Sequence, residues 1–229
     1  MKTTRNTLRA LSLLLQYPDA GHRQLVPLLV DAIDEEAALS AARRAEIRAL
    51  ATSQLRADPI DTESRYVELF DRGRSTSLHL FEHVHGDSRD RGPAMVDLIA
   101  TYRTAGLELG ASELPDHLCV VLEFASTQPA AVAREFLGEM AHILKPIFSA
   151  LRQRDSHYAT LIAAVLELAG HKAEAVPFTA DEDLDESWAE PEAFGGCSSR
   201  GQATPGQEQT IRIVPRNHAR AAAAAHQEA

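Results

Sequence analysis

The sequence predicts an all-α fold, a compact bundle of about eight or nine helices followed by a largely irregular acidic C-terminal tail. From the start to about Gly170, the residues Ala, Leu, Glu and Arg dominate, and apolar residues recur at helical spacing without strict alternation. Several segments begin with residues that are typical of helix starts. After about Lys172 the composition changes to acids, then to Gly, Ser, Pro and Gln, and finally to an Ala-rich end. A bundle with a tail therefore accounts for the whole chain.

Length, charge and cysteine usage narrow the class of protein. With 229 residues and 45% hydrophobic residues, the chain suits one helical domain over residues 1–172, with residues 173–229 as a tail that is partly disordered or docked on the bundle. A net charge of −10 disfavours nucleic acid as a ligand and favours basic partners. Cys119 and Cys197 show no CxxC spacing, which is typical of proteins in a reducing cytoplasm.

The first helix is predicted from Leu8, Leu11, Leu14 and Leu15, which fall at helical spacing. This apolar run is short, lies beside Arg9 and lacks a small-residue cleavage site, so we expect a buried helix and not a signal peptide. No run approaches the roughly 18 apolar residues that span a bilayer.

One of the predicted helix starts has a clear physical basis. Asp58 precedes Pro59, so a capping carboxylate is followed by a residue whose φ already suits the first helical turn. Tyr66, Leu69 and Phe70 would then form the buried face of this helix.

Glycines and prolines delimit the later helices. Pro146 should kink or split the longest of them because proline lacks a backbone donor. The expected helices are a short one between the break at Gly73 and Gly86, one from Pro93 to Gly106, one starting at Pro115 and Asp116, one from about Pro129 to Arg154, and one from Ser156 to Leu168 that stops at Gly170.

Three histidines with nearby acids leave two interpretations open. His79 and His83 lie four residues apart and could reach one metal ion from one helix face, with Glu82 and Asp87 nearby. A metal-dependent helical-bundle enzyme is therefore one alternative. His85 points elsewhere on a helix and no HExxH order is present, so the favoured interpretation is a polar rim that hydrogen-bonds a peptide and binds basic side chains.

Arginines and acids alternate around these histidines. The simplest interpretation is a self-neutralising loop network that fixes two chain crossings, although exposed pairs contribute little to stability. Its members are Asp71, Arg72, Arg74, Asp87, Arg89, Asp90 and Arg91.

Two segments carry a resemblance to a known family. They read FDRGRSTSLHLFEHVHGDSRDRG from Phe70 to Gly92 and ELPDHLCVVLEF from Glu113 to Phe124. In this order and at this distance they resemble the NarJ family of nitrate reductase assembly chaperones, within the wider group of TorD-like and DmsD-like chaperones. LRALSLLLQYPD from Leu8, DESWAEPEAFGGCSS from Asp185 and IRIVPR from Ile211 are also similar to that family.

The resemblance implies a system-specific chaperone of respiratory nitrate reductase and not an enzyme. Such a protein binds the apo catalytic subunit, including its N-terminal peptide, and keeps it soluble and competent for insertion of the molybdenum cofactor and iron–sulfur cluster. It delays membrane docking, works in the cytoplasm, carries no cofactor and is absent from the final enzyme. The chain has no P-loop, dinucleotide fingerprint or nucleophile elbow. A chaperone of another molybdenum enzyme is the second alternative.

We expect the client peptide to lie, as an amphipathic helix, in an apolar groove with a charged rim. The floor would be Tyr66, Phe70, Leu80 and Phe81, and the rim Glu82, His83, His85, Asp116 and His117. Family resemblance adds Glu113 and Pro115 beside Asp116 and His117. Histidines on the rim predict a change of affinity between about pH 6 and 8. Trp188, within an acidic segment from Asp181 to Glu192, has either a linker or a docking role.

Overall fold

The computed structural model describes residues 3–86, 88–110 and 113–178, and within these ranges it confirms the all-α prediction. The described residues form ten α-helices and one short 3₁₀ helix, Arg74–Thr76. The α-helices are α1 Arg5–Leu14, α2 Ala20–Glu36, α3 Ala41–Arg56, α4 Pro59–Phe70, α5 Leu80–His85, α6 Arg91–Thr104, α7 Leu118–Thr127, α8 Ala130–Glu139, α9 Ala141–Gln153 and α10 Ala159–Leu168.

Helices α1 and α10 form the centre of the bundle. The leucines predicted for the first helix are buried, and α1 packs against α2 and α7. Ser12 of α1 donates a hydrogen bond to the backbone carbonyl of Cys119 in α7 at 2.8 Å. Helix α10 is apolar around most of its circumference and is buried from Ala159 to Leu166, as expected of a helix enclosed by others.

The predicted start of α4 is confirmed in atomic detail. The Asp58 carboxylate accepts hydrogen bonds from the backbone N–H groups of Ile60 and Asp61, and Pro59 is the first helical residue. Tyr66 and Phe70 of α4 point into the core. The adjacent capping acid and proline therefore predicted the first residue of this helix correctly.

The long helix expected from Pro129 to Arg154 is divided, but not at Pro146. The division falls at Met140, between α8 and α9, and Pro146 lies inside α9. Pro146 removes the intrahelical hydrogen bond to the carbonyl of His142, a residue on the exposed side of α9, and the helix continues through this position. The alternative that Pro146 splits the helix is therefore wrong.

The chain after α10 returns to the bundle surface. The backbone N–H of Val176 donates to Ser149 Oγ of α9 at 2.9 Å, and Ala173 packs against the core. The predictions for Trp188, for the acidic segment 181–192 and for 211–216 lie outside the described residues. None of the described helices is long and apolar enough to cross a membrane.

Candidate functional site

The two family-like segments meet through a short backbone bridge. His79 and His117 form an isolated antiparallel β-bridge. On either side of it, the N–H of Leu80 donates to the carbonyl of Asp116 at 3.1 Å, and the N–H of Leu118 donates to the carbonyl of Leu78 at 2.8 Å. The bridge places the starts of α5 and α7 side by side.

Asp116 lies beneath this bridge and is completely buried. Its Oδ2 accepts a hydrogen bond from the backbone N–H of Phe81 at 3.1 Å, so it caps α5 from a different part of the chain. Two cationic side chains face the same carboxylate, namely His79 with Nδ1 3.7 Å from Oδ1 and Arg91 with Nη2 3.7 Å from Oδ2. Asp116 therefore links α5, α6 and the start of α7.

These contacts shift the pKa values of both partners. The Asp116 carboxylate raises the pKa of His79 above its ordinary value, against the opposing effect of burial. Burial by itself would raise the pKa of Asp116, but His79, the Phe81 N–H and Arg91 together outweigh it and lower that pKa. The pair is thereby stabilised as an imidazolium facing a carboxylate.

His117 is the capping residue of α7, a role that the sequence analysis did not expect of it. Its Nδ1 accepts from the backbone N–H of Cys119 at 3.3 Å, and its ring lies 4.9 Å from that of His79, centroid to centroid. Burial lowers the pKa of His117, and the positive charge of His79 lowers it further. A neutral ring is needed for Nδ1 to accept this hydrogen bond.

A cleft of about 260 Å³ opens beside the bridge, between the end of α4, the 3₁₀ helix and α5. Tyr66, Phe70 and Leu78 supply its apolar lining. Polar and backbone groups complete the wall, contributed by Asp71, Arg72, Gly73, Arg74, Ser77, His79, Glu82 and His117. An apolar lining with charged groups at its edge suits an anchoring side chain of a bound peptide.

The structure brings together only part of the predicted groove. Tyr66, Phe70, Glu82 and His117 line the cleft. Leu80 and Asp116, at 1% and 0% exposure, are buried and do not line the cleft, which corrects their placement on a floor and a rim. Both support the cleft from beneath.

Five further predicted groove residues lie away from the cleft, among them Phe81, which is half-buried. His83 donates from Nε2–H to the Ser77 carbonyl at 2.9 Å, and the His85 ring lies edge-on against Phe81. Pro115 is buried, and its carbonyl accepts from the Tyr102 hydroxyl at 2.7 Å. Glu113 is exposed.

Sequence reasoning missed the role of Ser77. Its hydroxyl donates to Glu82 Oε2 at 2.6 Å and accepts from the N–H of His79. Arg91 approaches the other oxygen, Oε1, at 3.3 Å. The available signal was a hydroxyl residue placed just before a short helix, where it can bond the first-turn acid.

Comparison with known proteins identifies the relatives of the chain. A family model described as nitrate reductase delta subunit matches residues 36–164. The chain is also 42% identical over 200 residues to the nitrate reductase molybdenum cofactor assembly chaperone NarJ of Escherichia coli K12, covering 81% of this chain and 85% of that one. The chain belongs to the nitrate reductase delta subunit family. Its resemblance to NarJ proteins is confirmed.

Two further comparisons concern a second relative and the fold. The probable NarJ chaperone of Bacillus subtilis is 31% identical over 160 residues, with 70% of this chain and 86% of that one covered. A solved structure from Archaeoglobus fulgidus, described as a redox enzyme maturation protein, matches with a TM-score of 0.52 at 20% identity, covering 74% of this chain and 96% of that one. The last match shows a shared fold. The two NarJ relatives are named as assembly chaperones and not as enzymes, in agreement with the expectation that this chain is not an enzyme.

The alternative metal centre finds no support in the geometry of this delta subunit family member. Within residues 3–86, 88–110 and 113–178, no three His, Cys, Asp or Glu side chains are arranged to hold a metal ion. His79 is directed at Asp116 and His83 at a backbone carbonyl. Asp87, the fourth residue of that hypothesis, lies outside the described residues.

The expected loop network is also different in this family member. Arg91 pairs with Glu82 and Asp116, not with loop acids. In the described part of the chain, no ion pair joins Arg72 or Arg89 to the two described loop acids, Asp71 and Asp90. The other described members, Asp71, Arg74 and Asp90, are exposed. Of the predicted network, Arg91 is thus placed at the site by its pairs with Glu82 and Asp116.

Proposed function

We propose that the chain is a system-specific chaperone for the assembly of a respiratory nitrate reductase and that it binds the apo catalytic subunit. The observation that carries the proposal is its 42% identity to the Escherichia coli chaperone over most of both chains. In this role it keeps the catalytic subunit soluble and competent for insertion of the molybdenum cofactor and iron–sulfur cluster. It delays docking on the membrane, leaves before the enzyme is complete, and works in the cytoplasm.

The proposed contact is the N-terminal peptide of the catalytic subunit. An amphipathic helix lying across the site would place an apolar side chain against Tyr66 and Phe70. Glu82 and His117 stand at the edge of the same cleft, where a carboxylate can bind a basic side chain of the peptide. The cleft has room for an anchoring side chain, so most of the peptide helix must lie on the surface around it.

Release must follow from a difference in affinity between client states. A ligand shifts an equilibrium only by its differential binding to the two forms. We infer that the N-terminal peptide is accessible in the apo subunit and withdrawn when the cofactors are in place. The chaperone then dissociates without an energy source.

Isothermal titration calorimetry tests the proposal. The full chain is titrated with a synthetic peptide of the N-terminus of the nitrate reductase catalytic subunit, with a scrambled peptide as control. We expect submicromolar binding for the native peptide only. The matched variants are His117→Asn, which keeps a side-chain acceptor at the start of α7, and His142→Ala, which changes an exposed histidine outside the cleft.

We expect His117→Asn to weaken peptide binding by about tenfold, which corresponds to loss of one good polar contact. His142→Ala should bind as the unaltered chain does. Equal binding of native and scrambled peptides would contradict sequence-specific recognition. Tight specific binding that is unaffected by His117→Asn would place the peptide elsewhere on the bundle.

A further inference from the structure

Helix α6 is attached to the bundle separately from the main core. Among the described residues, no side chain of α6 belongs to the large buried cluster that joins α1, α7, α9 and α10. Leu98 and Tyr102 of α6 instead form a second, small cluster with Phe124 of α7. The Tyr102 and Phe124 rings lie 4.6 Å apart, centroid to centroid. Among the described residues, α6 therefore contributes no buried side chain to the main core.

Polar contacts attach α6 near its two ends. Near the C-terminal end, the Tyr102 hydroxyl donates to the Pro115 carbonyl at 2.7 Å. At the N-terminal end, Arg91 lies 3.3 Å from Glu82 and 3.7 Å from Asp116. Glu82 also lines the cleft. The N-terminal attachment of α6 is therefore shared with the candidate binding site.

Two glycines with left-handed backbone lie on either side of α6. Gly86 has a φ of +52° and Gly106 a φ of +80°, and a Cβ at either position would meet no atom within 4 Å. Residues with open surroundings and unrestricted φ can absorb the rotation of a rigid element. The two positions are thus suited to act as hinges.

From these observations we propose that α6 is a hinged cover, which opens as a unit and gives its place to an amphipathic helix of the client subunit. The face it covers is centred on Phe124, with the half-buried rings of Phe81 and Phe136 packed around it. The occupant is inferred from α6 itself, which presents Leu98 and Tyr102 four residues apart to that face. This occupant rests on the proposed function, whereas the opening of α6 does not.

Arg91 couples the cover to the cleft. A basic client side chain that binds Glu82 competes with the Arg91 guanidinium for the same carboxylate. Loss of that pair leaves α6 with fewer contacts at its N-terminal end. Entry of the client into the cleft therefore favours opening of the adjacent apolar face.

Hydrogen–deuterium exchange of the full chain, read by mass spectrometry without client, tests the hinge. We expect the amides of 91–104 to exchange together and at least about tenfold faster than those of α7 and α10, because sub-global opening of α6 needs less free energy than unfolding of the core. Arg91→Met should accelerate exchange of α6 by about tenfold more and leave α10 unchanged. Arg89→Met, at an exposed arginine two residues earlier, should change neither helix.

Two results would overturn the hinge. One is an α6 that exchanges as slowly as α7, and the other is an Arg91→Met variant in which all helices accelerate together, which indicates global destabilisation.

A second arm adds the client peptide. We expect faster exchange in 91–104 and slower exchange in α7, because the peptide replaces α6 on Phe124. A peptide that binds by calorimetry but leaves α6 exchange unchanged overturns the inference and leaves the proposed function standing. A peptide that does not bind overturns the proposed function and this occupant, while the exchange of the client-free chain still decides the hinge.

Discussion

One carboxylate, that of Asp116, holds three parts of the site in place. It caps α5 through Phe81, faces the His79 ring and approaches Arg91 of α6. Because it has no exposed surface, removing the carboxylate leaves the Phe81 N–H without its acceptor inside the protein, whereas the partly exposed His79 and Arg91 keep some access to water. Asp116 therefore has a structural role, and it affects client binding only through the residues that it positions.

Asp116→Ala should lower the free energy of unfolding by about 2–4 kcal/mol, because the Phe81 N–H and two cations lose their acceptor inside the protein. Asp116→Asn should cost less, since an amide oxygen can still accept from Phe81. Urea denaturation followed by circular dichroism measures both. Glu113→Ala, at an exposed acid three residues earlier, is the matched control and should stay within about 0.5 kcal/mol of the unaltered chain. An equal loss in the control variant would argue against the capping role.

The contributions of His79 and His117 to the free energy of unfolding depend on pH in opposite directions. Asp116 raises the folded pKa of His79 above its ordinary 6.5, so its contribution is fully present below about pH 6.5 and is lost as the pH rises through the raised pKa. The folded pKa of His117 is lowered mainly by burial, so its contribution is present above its ordinary pKa of 6.5 and is lost as the pH falls through the folded value.

The two histidines can be separated by substitution. We expect the loss of unfolding free energy caused by His79→Gln to be larger at pH 5.5 than at pH 8.5, and that caused by His117→Asn to be larger at pH 8.5. Urea titrations of the variants and the unaltered chain at several pH values measure the differences. A pH-independent loss for His79→Gln would show that the imidazolium facing Asp116 does not stabilise the fold.

At the scale of the element, the start of a helix could be predicted from neighbouring residues in the sequence. A contact between residues distant in sequence could not. Asp58 and Pro59 specify the start of α4 because the cap and the first turn are adjacent in sequence. The capping of α5 by Asp116 was not predictable in that way, because the acceptor comes from 35 residues away. The prediction of a split at Pro146 was wrong because the helix tolerates one missing hydrogen bond there.

For the candidate site, too, the sequence predicted some residues correctly and misplaced others. Helical periodicity correctly brought Tyr66 and Phe70 to one face. It placed Leu80 and Asp116 at the surface, because the β-bridge that buries them joins residues distant in sequence. Residue type alone identified the right segments and could not decide which of their side chains remain open to a ligand.

The turn after α4 requires a residue without a side chain. A Cβ at Gly73 would lie 2.8 Å from the Leu69 carbonyl oxygen, 2.5 Å from Thr76 Oγ and 2.6 Å from Arg154 Nη1. Gly73→Ala should therefore destabilise the fold by about 1–3 kcal/mol, since a backbone atom must move to admit the methyl group.

Gly92 in α6 provides the matched control. A Cβ there meets no atom within 4 Å, so Gly92→Ala should be neutral or stabilise the protein by up to about 1 kcal/mol through its higher helix propensity. Thermal unfolding by calorimetry compares the two variants. If both substitutions shift the melting temperature in the same direction, close packing is not the reason why position 73 disfavours a side chain.

At the scale of the whole molecule, the described core ends close to α10, yet the chain beyond it still contributes contacts. The last buried apolar residue in the described ranges is Ala169. Ala173 nevertheless packs against the core, and Val176 donates to Ser149. A domain boundary at residue 172 would therefore leave out segment 173–178, which contacts the bundle.

Two truncations test where the folded unit ends. Ending the chain after Phe178 keeps every described contact, so its free energy of unfolding should remain within about 1 kcal/mol of that of the full chain. Ending it after Lys172 removes the Val176–Ser149 hydrogen bond and the packing of Ala173, which should cost about 1–2 kcal/mol. Denaturant unfolding of both chains beside the full chain measures this difference. Equal stability of the two truncated chains would place the boundary at residue 172, whereas a large loss after Phe178 would show that residues beyond 178 stabilise the bundle.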